Sequence, residues 1–63
     1  MSDYFIALAH DGVLRETEDA VLFLFDEEEV WIPLKLIDEY DDENEVVVPR
    51  WFIEQEGLEA YEA

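Results

Sequence analysis

From Ala20 to Phe25 every position is apolar, with Val21, Phe23 and Phe25 on one parity and Ala20, Leu22 and Leu24 on the other. A second β-prone run, 30–34, follows an acidic break at 26–29. Two such runs around a short polar interruption predict an antiparallel hairpin with strands at 20–25 and 29–34. With both faces apolar, the first strand is expected at the centre of a sheet and covered on both sides. Neither Asn-Gly nor Asp-Gly stands at the break, so a two-residue type I′ loop is not indicated. Pro33 cannot donate to a ladder, which ends the second strand or puts it at an edge. Within that strand Val30 and Ile32 share a face opposite Trp31, which is assigned to the core because tryptophan is mostly buried.

Two patterns compete over 2–12. As a helix, Ser2 caps it, Asp3 complements the dipole and Gly12 supplies a left-handed stop. As a strand, Tyr4, Ile6 and Leu8 alternate with Phe5, Ala7 and Ala9. The cap signals and two alanines favour the helix. His10, the single histidine, then falls at a solvated helix end. The polar stretch 15–19 is a connector, 35–37 a short turn, and 38–45 an acidic loop or wide hairpin connection. A short strand at 46–48 supplies a third sheet member. Pro49 then opens a helix over 49–57, with Trp51, Phe52, Gln55 and Leu58 on one face and Gly57 beyond its end. The pattern therefore predicts an α+β fold: one domain spanning 1–63, with a small antiparallel sheet of about three strands packed against a C-terminal helix, and an N-terminal helix on the other face. The expected core is Trp31, Trp51, Phe52, Phe23, Phe25, Ile32, Val47 and Leu58.

Composition changes the picture in two ways. The chain has 63 residues and no cysteine, so without disulfides or thiolate metal sites its stability rests on aromatic burial. The formal charge is −16, from nineteen Asp and Glu against Arg15, Lys35 and Arg50. Nucleic acid and anionic membranes are bound by Lys and Arg, so neither is expected as a direct ligand. A basic protein surface or a cation is. No apolar run approaches the ~18 residues of a membrane span, and no basic leader segment precedes the first strand. The expected location is the cytoplasm of a host cell.

The carboxylates fall into two knots. Glu27, Glu28 and Glu29 stand at the hairpin tip, and Asp38, Glu39, Asp41, Asp42, Glu43 and Glu45 lie along 38–45 with Tyr40 among them. General acid–base chemistry needs carboxyls whose environments separate their pKa values. These acids look exposed and have no second chemical type beside them, so no catalytic residue, enzyme activity or cofactor is expected. A calcium loop of the EF-hand type needs a glycine at its sharp turn, and none lies between Gly12 and Gly57, so no specific metal site is assigned. A surface built only for solubility would intersperse Lys with Glu. Unmixed charge points to a surface that stands in for nucleic-acid phosphates. Carboxylates at two loop tips can occupy a basic groove, steered there by the Lys and Arg that normally meet phosphates. Tyr40 would add apolar contact at the rim. All ten of these residues are the expected partner-binding set.

Three stretches carry a resemblance. Glu16-Thr17-Glu18-Asp19-Ala20-Val21-Leu22, then Glu29-Val30-Trp31-Ile32-Pro33 with Ile37, then Val48-Pro49-Arg50-Trp51-Phe52 with Gly57-Leu58 resemble a small phage and mobile-element family. Its pattern reads E-[TS]-[ED]-K-A-x-L, E-V-W-I-P-K-S-x-I and V-P-x-W-[LF]-x-x-x-x-G-L. Asp19 and Leu34 stand where that pattern has lysine, and Lys35 where it has serine, so a contact through those lysines does not carry over. The resemblance implies a viral or mobile-element origin. In size and acidity the chain is also similar in type to anti-CRISPR and anti-restriction proteins that mimic DNA. The expected function is thus a phage-type, anti-CRISPR-like inhibitor that fills the DNA-binding groove of a basic nucleic-acid-binding complex, a CRISPR effector above all. The alternative is an accessory or structural phage protein that binds a basic partner without inhibiting it.

Overall fold

The computed structural model describes residues 4–63. The described residues form six strands, β1 (Phe5–Ala9), β2 (Gly12–Glu16), β3 (Ala20–Phe25), β4 (Glu28–Pro33), β5 (Glu39–Tyr40) and β6 (Glu45–Pro49), and one helix, α1 (Arg50–Glu56). Short 3-10 turns occupy Leu34–Leu36 and Glu59–Tyr61. The strands make two antiparallel three-stranded sheets, ordered β1-β6-β5 and β2-β3-β4. The strand content therefore exceeds the expected three.

The expected N-terminal helix is absent from the described residues. The segment from Phe5 is strand, and Ser2, the proposed cap, lies outside them. Alternation prevails over alanine propensity because β6 needs a long partner. β1 pairs with it over five residues, Leu8 opposite Val46 and Ile6 opposite Val48. His10 is corrected for the same reason. Two residues on from Leu8, it shares the inward side and is 4 % exposed, not a solvated helix end.

The hairpin stands where the pattern puts it, but its loop is tighter. Phe25 pairs with Glu28, leaving Asp26 and Glu27 as a two-residue turn. Asp26 takes a positive φ of 58° while Glu27 does not, the sign pattern of a type II′ rather than a type I′ turn. An aspartate tolerates that conformation better than most residues, and its N–H donates to Asp11 Oδ2 at 2.7 Å. The connector before β3 needs neither Gly nor Pro. Thr17 Oγ1 accepts from the Ala20 N–H (3.1 Å), and the Thr17 N–H donates to the Ala20 carbonyl (2.9 Å), a side-chain-fixed turn.

One core lies between the two sheets and the helix. Leu8, Val46 and Val48 come from the first sheet, Val21, Phe23, Phe25 and Ile32 from the second, and Phe52, Ile53 and Leu58 from α1 and its exit. Three expected core members are not in it. Trp31 and Trp51 are each 45 % exposed, and Val47 is half-buried. In each strand the period of two turns the neighbours inward instead (Val30 and Ile32, Val46 and Val48). On α1 the inward pair is Phe52 and Ile53. β3 is central, but only Val21, Phe23 and Phe25 are covered, and Ala20, Leu22 and Leu24 remain half-exposed. Pro49 closes β6 and sits just before the helix, while Gly57 ends it at φ 72°. The segment after Gly57 does not fray. Tyr61 packs 5.1 Å from Phe25, and the Ala63 N–H donates to the Ala7 carbonyl (2.9 Å), covering the free edge of β1.

Burial ranks the aromatic substitutions. Phe23→Ala is expected to cost ~3–5 kcal/mol, the range for a buried aromatic. Trp51→Ala should cost about 1 kcal/mol, near the centre of the distribution for point substitutions. Urea denaturation of both variants at matched salt checks the order, and equal losses would contradict this placement of α1.

Candidate partner-binding surface

Alternation divides the first acidic knot. Glu28 pairs with Phe25 and Glu29 with Leu24, so the two side chains leave opposite faces of the sheet. Glu27 is in the turn itself. Asp11 and Asp26, which are distant in sequence, join Glu27, Glu28 and Tyr61 around one open depression of ≈ 540 Å³. Burial, then the charges of Glu28, Asp26 and Asp11, push the Tyr61 phenol above its ordinary pKa. The carboxylates at this end are thus close enough to act on one group together. The residues missing from the sequence-based set, Asp11 and Asp26, are adjacent only because the β1–β2 link meets the β3–β4 turn. The Asp26–Asp11 hydrogen bond fixes that meeting.

The second knot is a hairpin connection. β5 pairs with β6, Glu39 opposite Val47 and Tyr40 opposite Val46, and 41–44 is the loop. Glu39 and Glu45 flank Val47 on the outer face, around a depression of ≈ 250 Å³ that Tyr40 and Asp41 also line. Asp38, Asp42 and Glu43 are exposed.

Two members of the expected set serve the fold. Asp41 Oδ1 accepts the backbone N–H of Asn44 (2.6 Å), Glu45 (3.1 Å) and Glu43 (3.2 Å). These bonds, those from Asn44 and Glu45 foremost, hold its carboxyl below the ordinary aspartate pKa. Tyr40 faces inward, not to the rim. Its ring meets Phe23 edge-on at 5.4 Å, and its hydroxyl donates to Glu16 Oε2 at 3.0 Å, tying the first sheet to the second. That bond, then burial, raises the phenol pKa, and the charges of Glu16 and Asp42 add to the shift.

His10 supports the loop from below. Its N–H donates to the Asn44 carbonyl (2.9 Å), and its Nε2 lies 2.9 Å from the Asp41 carbonyl. A carbonyl only accepts, so Nε2 is the donor of this bond. The ring packs 4.7 Å from Phe23, and Nδ1 is buried without a partner. A buried, singly bonded histidine of this kind anchors a loop.

Chemically, the surface can attract cations and basic side chains through exposed carboxylates at two separate tips. Among the described residues no group of three or more His, Asp or Glu is arranged to hold a metal ion, and no helix is long and apolar enough to cross a membrane. No family model, curated protein or solved structure matches the chain.

The Asp41 bonds carry a pH signature. A carboxyl whose folded pKa is depressed contributes stability that is present above its unfolded pKa and lost as pH falls through the folded value. Asp41→Asn should therefore be less stable than the parent at neutral pH. The gap should narrow below about pH 4, the ordinary aspartate value. Thermal melts of the pair from pH 7 to 3 check this, and a gap that stays constant would show that the charge of Asp41 is not what the loop uses.

Proposed function

We propose that this protein is a phage-type inhibitor that binds a basic nucleic-acid-binding complex, a CRISPR effector in the first instance, by occupying the groove that normally takes DNA. The observation that carries the reading is the unmixed charge, nineteen carboxylates against three cations, with carboxylates gathered at two hairpin tips of one small body. Such charge destabilises the compact state through self-repulsion, and a merely solvated surface has no use for that excess. The density is also that of the ligand it would replace. The long axis of the molecule is 31 Å and the formal charge −16. Duplex DNA, at one charge per ~1.7 Å of axis, carries about 18 over the same length.

The structure narrows which residues to alter. Among the described residues the side chains of Asp38, Asp42 and Glu43 hold no loop backbone, whereas reversing Asp41 would dismantle the loop. Asp38, Asp42 and Glu43 to Lys should leave the circular dichroism and melting of the chain intact, since exposed substitutions change stability by ~0.5 kcal/mol or less. The same triple variant should slow association with the effector by about 10-fold or more, because steering by opposite charge contributes roughly 10–10³ to on-rates. Binding should weaken steeply with salt, and DNA should displace the chain from the effector. Surface plasmon resonance with purified effector, with and without competing duplex, reads all three. A ternary complex of effector, DNA and this chain, indifferent to the reversals, would overturn the mimic reading.

A further inference from the structure

The outer face of the β2-β3-β4 sheet differs from the two acidic tips in exposing large apolar side chains. Register places Arg15 opposite Leu22 and Leu22 opposite Trp31, so a row across the sheet reads Arg–Leu–Trp. The next row reads Gly12–Leu24–Glu29, and Ala20 lies beside Pro33 on the same face. Directly opposed residues share a face, so these side chains form one surface. Leu22 and Leu24 are half-exposed there, Trp31 is 45 % exposed, and Leu14, at the irregularity between Val13 and Arg15, is 47 % exposed. The strand residues of this face include one carboxylate, Glu29, and one cation, Arg15. It is close to neutral in a chain of formal charge −16. A basic groove has little electrostatic hold on such a face, whereas a second face of the same kind meets it without a local charge penalty.

We propose that a second copy of this chain covers the face, as an isologous, two-fold dimer packed sheet on sheet. The complementarity is in the row order. A two-fold axis running along β3 lays each row on its own reverse. It brings Leu22 against Leu22 and sets the guanidinium of Arg15 over the indole of the second copy's Trp31, twice per dimer. Arginine over tryptophan is the favoured form of cation–π contact, and aligned sheets pack this way at about 10 Å. In the following row Glu29 meets Gly12 of the other copy, a long side chain over a residue with none. Apart from Glu29, the carboxylates of the hairpin tip and those of 38–45 remain outside the interface. This inference does not rest on the inhibitor reading.

The net charge gives the dimer a recognisable signature. Two copies repel through their distant carboxylates, so added salt should tighten the dimer, whereas it weakens attachment to a basic partner. Sedimentation equilibrium from ~0.01 M to ~0.5 M salt, where the Debye length falls below about 5 Å, should show monomer giving way to dimer at about 0.5 mM chain. Arg15→Gln and Trp31→Leu should each weaken the dimer by ~5–30-fold, because either change removes both cation–π pairs of the dimer. The double variant should be little weaker than either single one, as for residues that touch each other. Arg15 and Trp31 are exposed, and circular dichroism verifies that the variants fold. A chain that stays monomeric at ~0.5 mM in high salt, or a dimer that ignores both substitutions, would overturn the proposal. So would a strictly monomeric chain whose Trp31 emission shifts on adding poly-L-lysine, measured in a Trp51→Phe background, since the face would then belong to a basic partner.

Discussion

Neither three-stranded sheet encloses a core alone, and the packing of one on the other across Phe23 and Phe25 is what the rest of the structure depends on. β5 is two residues long and β1 has β6 as its only full-length neighbour. A sheet of that size is stable only with a covered apolar face. Leu8, Val46 and Val48 supply one side of the buried surface, and Val21, Phe23, Phe25 and Ile32 the other. One polar tie joins the two sheets, Tyr40 to Glu16, and two more fix the β1–β2 link that connects them: His10 to the 41–44 loop on the first sheet and the Asp11 N–H to the Leu24 carbonyl (2.7 Å) on the second. Each runs between elements distant in sequence. With no disulfide available, such ties and the aromatic core do the stapling that a small domain requires.

Charge is distributed around that core rather than through it. His10 is the one polar residue among the buried side chains of the described chain, and no carboxylate accompanies it. Repulsion is therefore moderated by water at every described acidic position, and the two tips at which carboxylates gather are held by backbone hydrogen bonds. At 26–27 the Asp11 carboxylate accepts the turn N–H, and at 41–45 the Asp41 carboxylate accepts three. Some acids thus build the loops that present the others. An acidic loop that organises itself in this way holds its exposed carboxylates in a fixed arrangement, so little ordering entropy remains to be lost when a partner binds.

Much of the chain from Ala20 onward is legible in the sequence because its signals are local. The hairpin of 20–25 with a partner strand (expected at 29–34, formed at 28–33), the helix after Pro49 and the stop at Gly57 each follow from period and punctuation within a short window. The start of the chain is not, since over 2–12 the local rules fit both a helix and a strand and favour the helix narrowly. What decides between them is β6, far along the chain, whose valines need a partner. The same distance hides the meeting of Asp11 with Asp26 and the burial of His10. The tryptophans escape sequence reasoning for a different reason. Size argues for burial, but parity along β4 and position on α1 turn both rings outward. In β4 the alternation already separates Trp31 from Val30 and Ile32, and only the side that faces the core is left open.

That inversion has a consequence for the acidic surface. With Trp31 outside, the β2-β3-β4 sheet has a core face and an apolar outer face, and Glu29 belongs to the outer one. The three glutamates of the hairpin tip therefore do not form a single patch. The carboxylates gathered at that end are Asp11, Asp26, Glu27 and Glu28, around Tyr61. The 38–45 knot is divided in the same way, with Asp41 and Tyr40 turned to structural use and Asp38, Asp42 and Glu43 left outward. A contiguous run of like charge in sequence is thus a poor guide to a charged patch in space once the run enters a strand, because a period of two sends alternate residues to opposite faces.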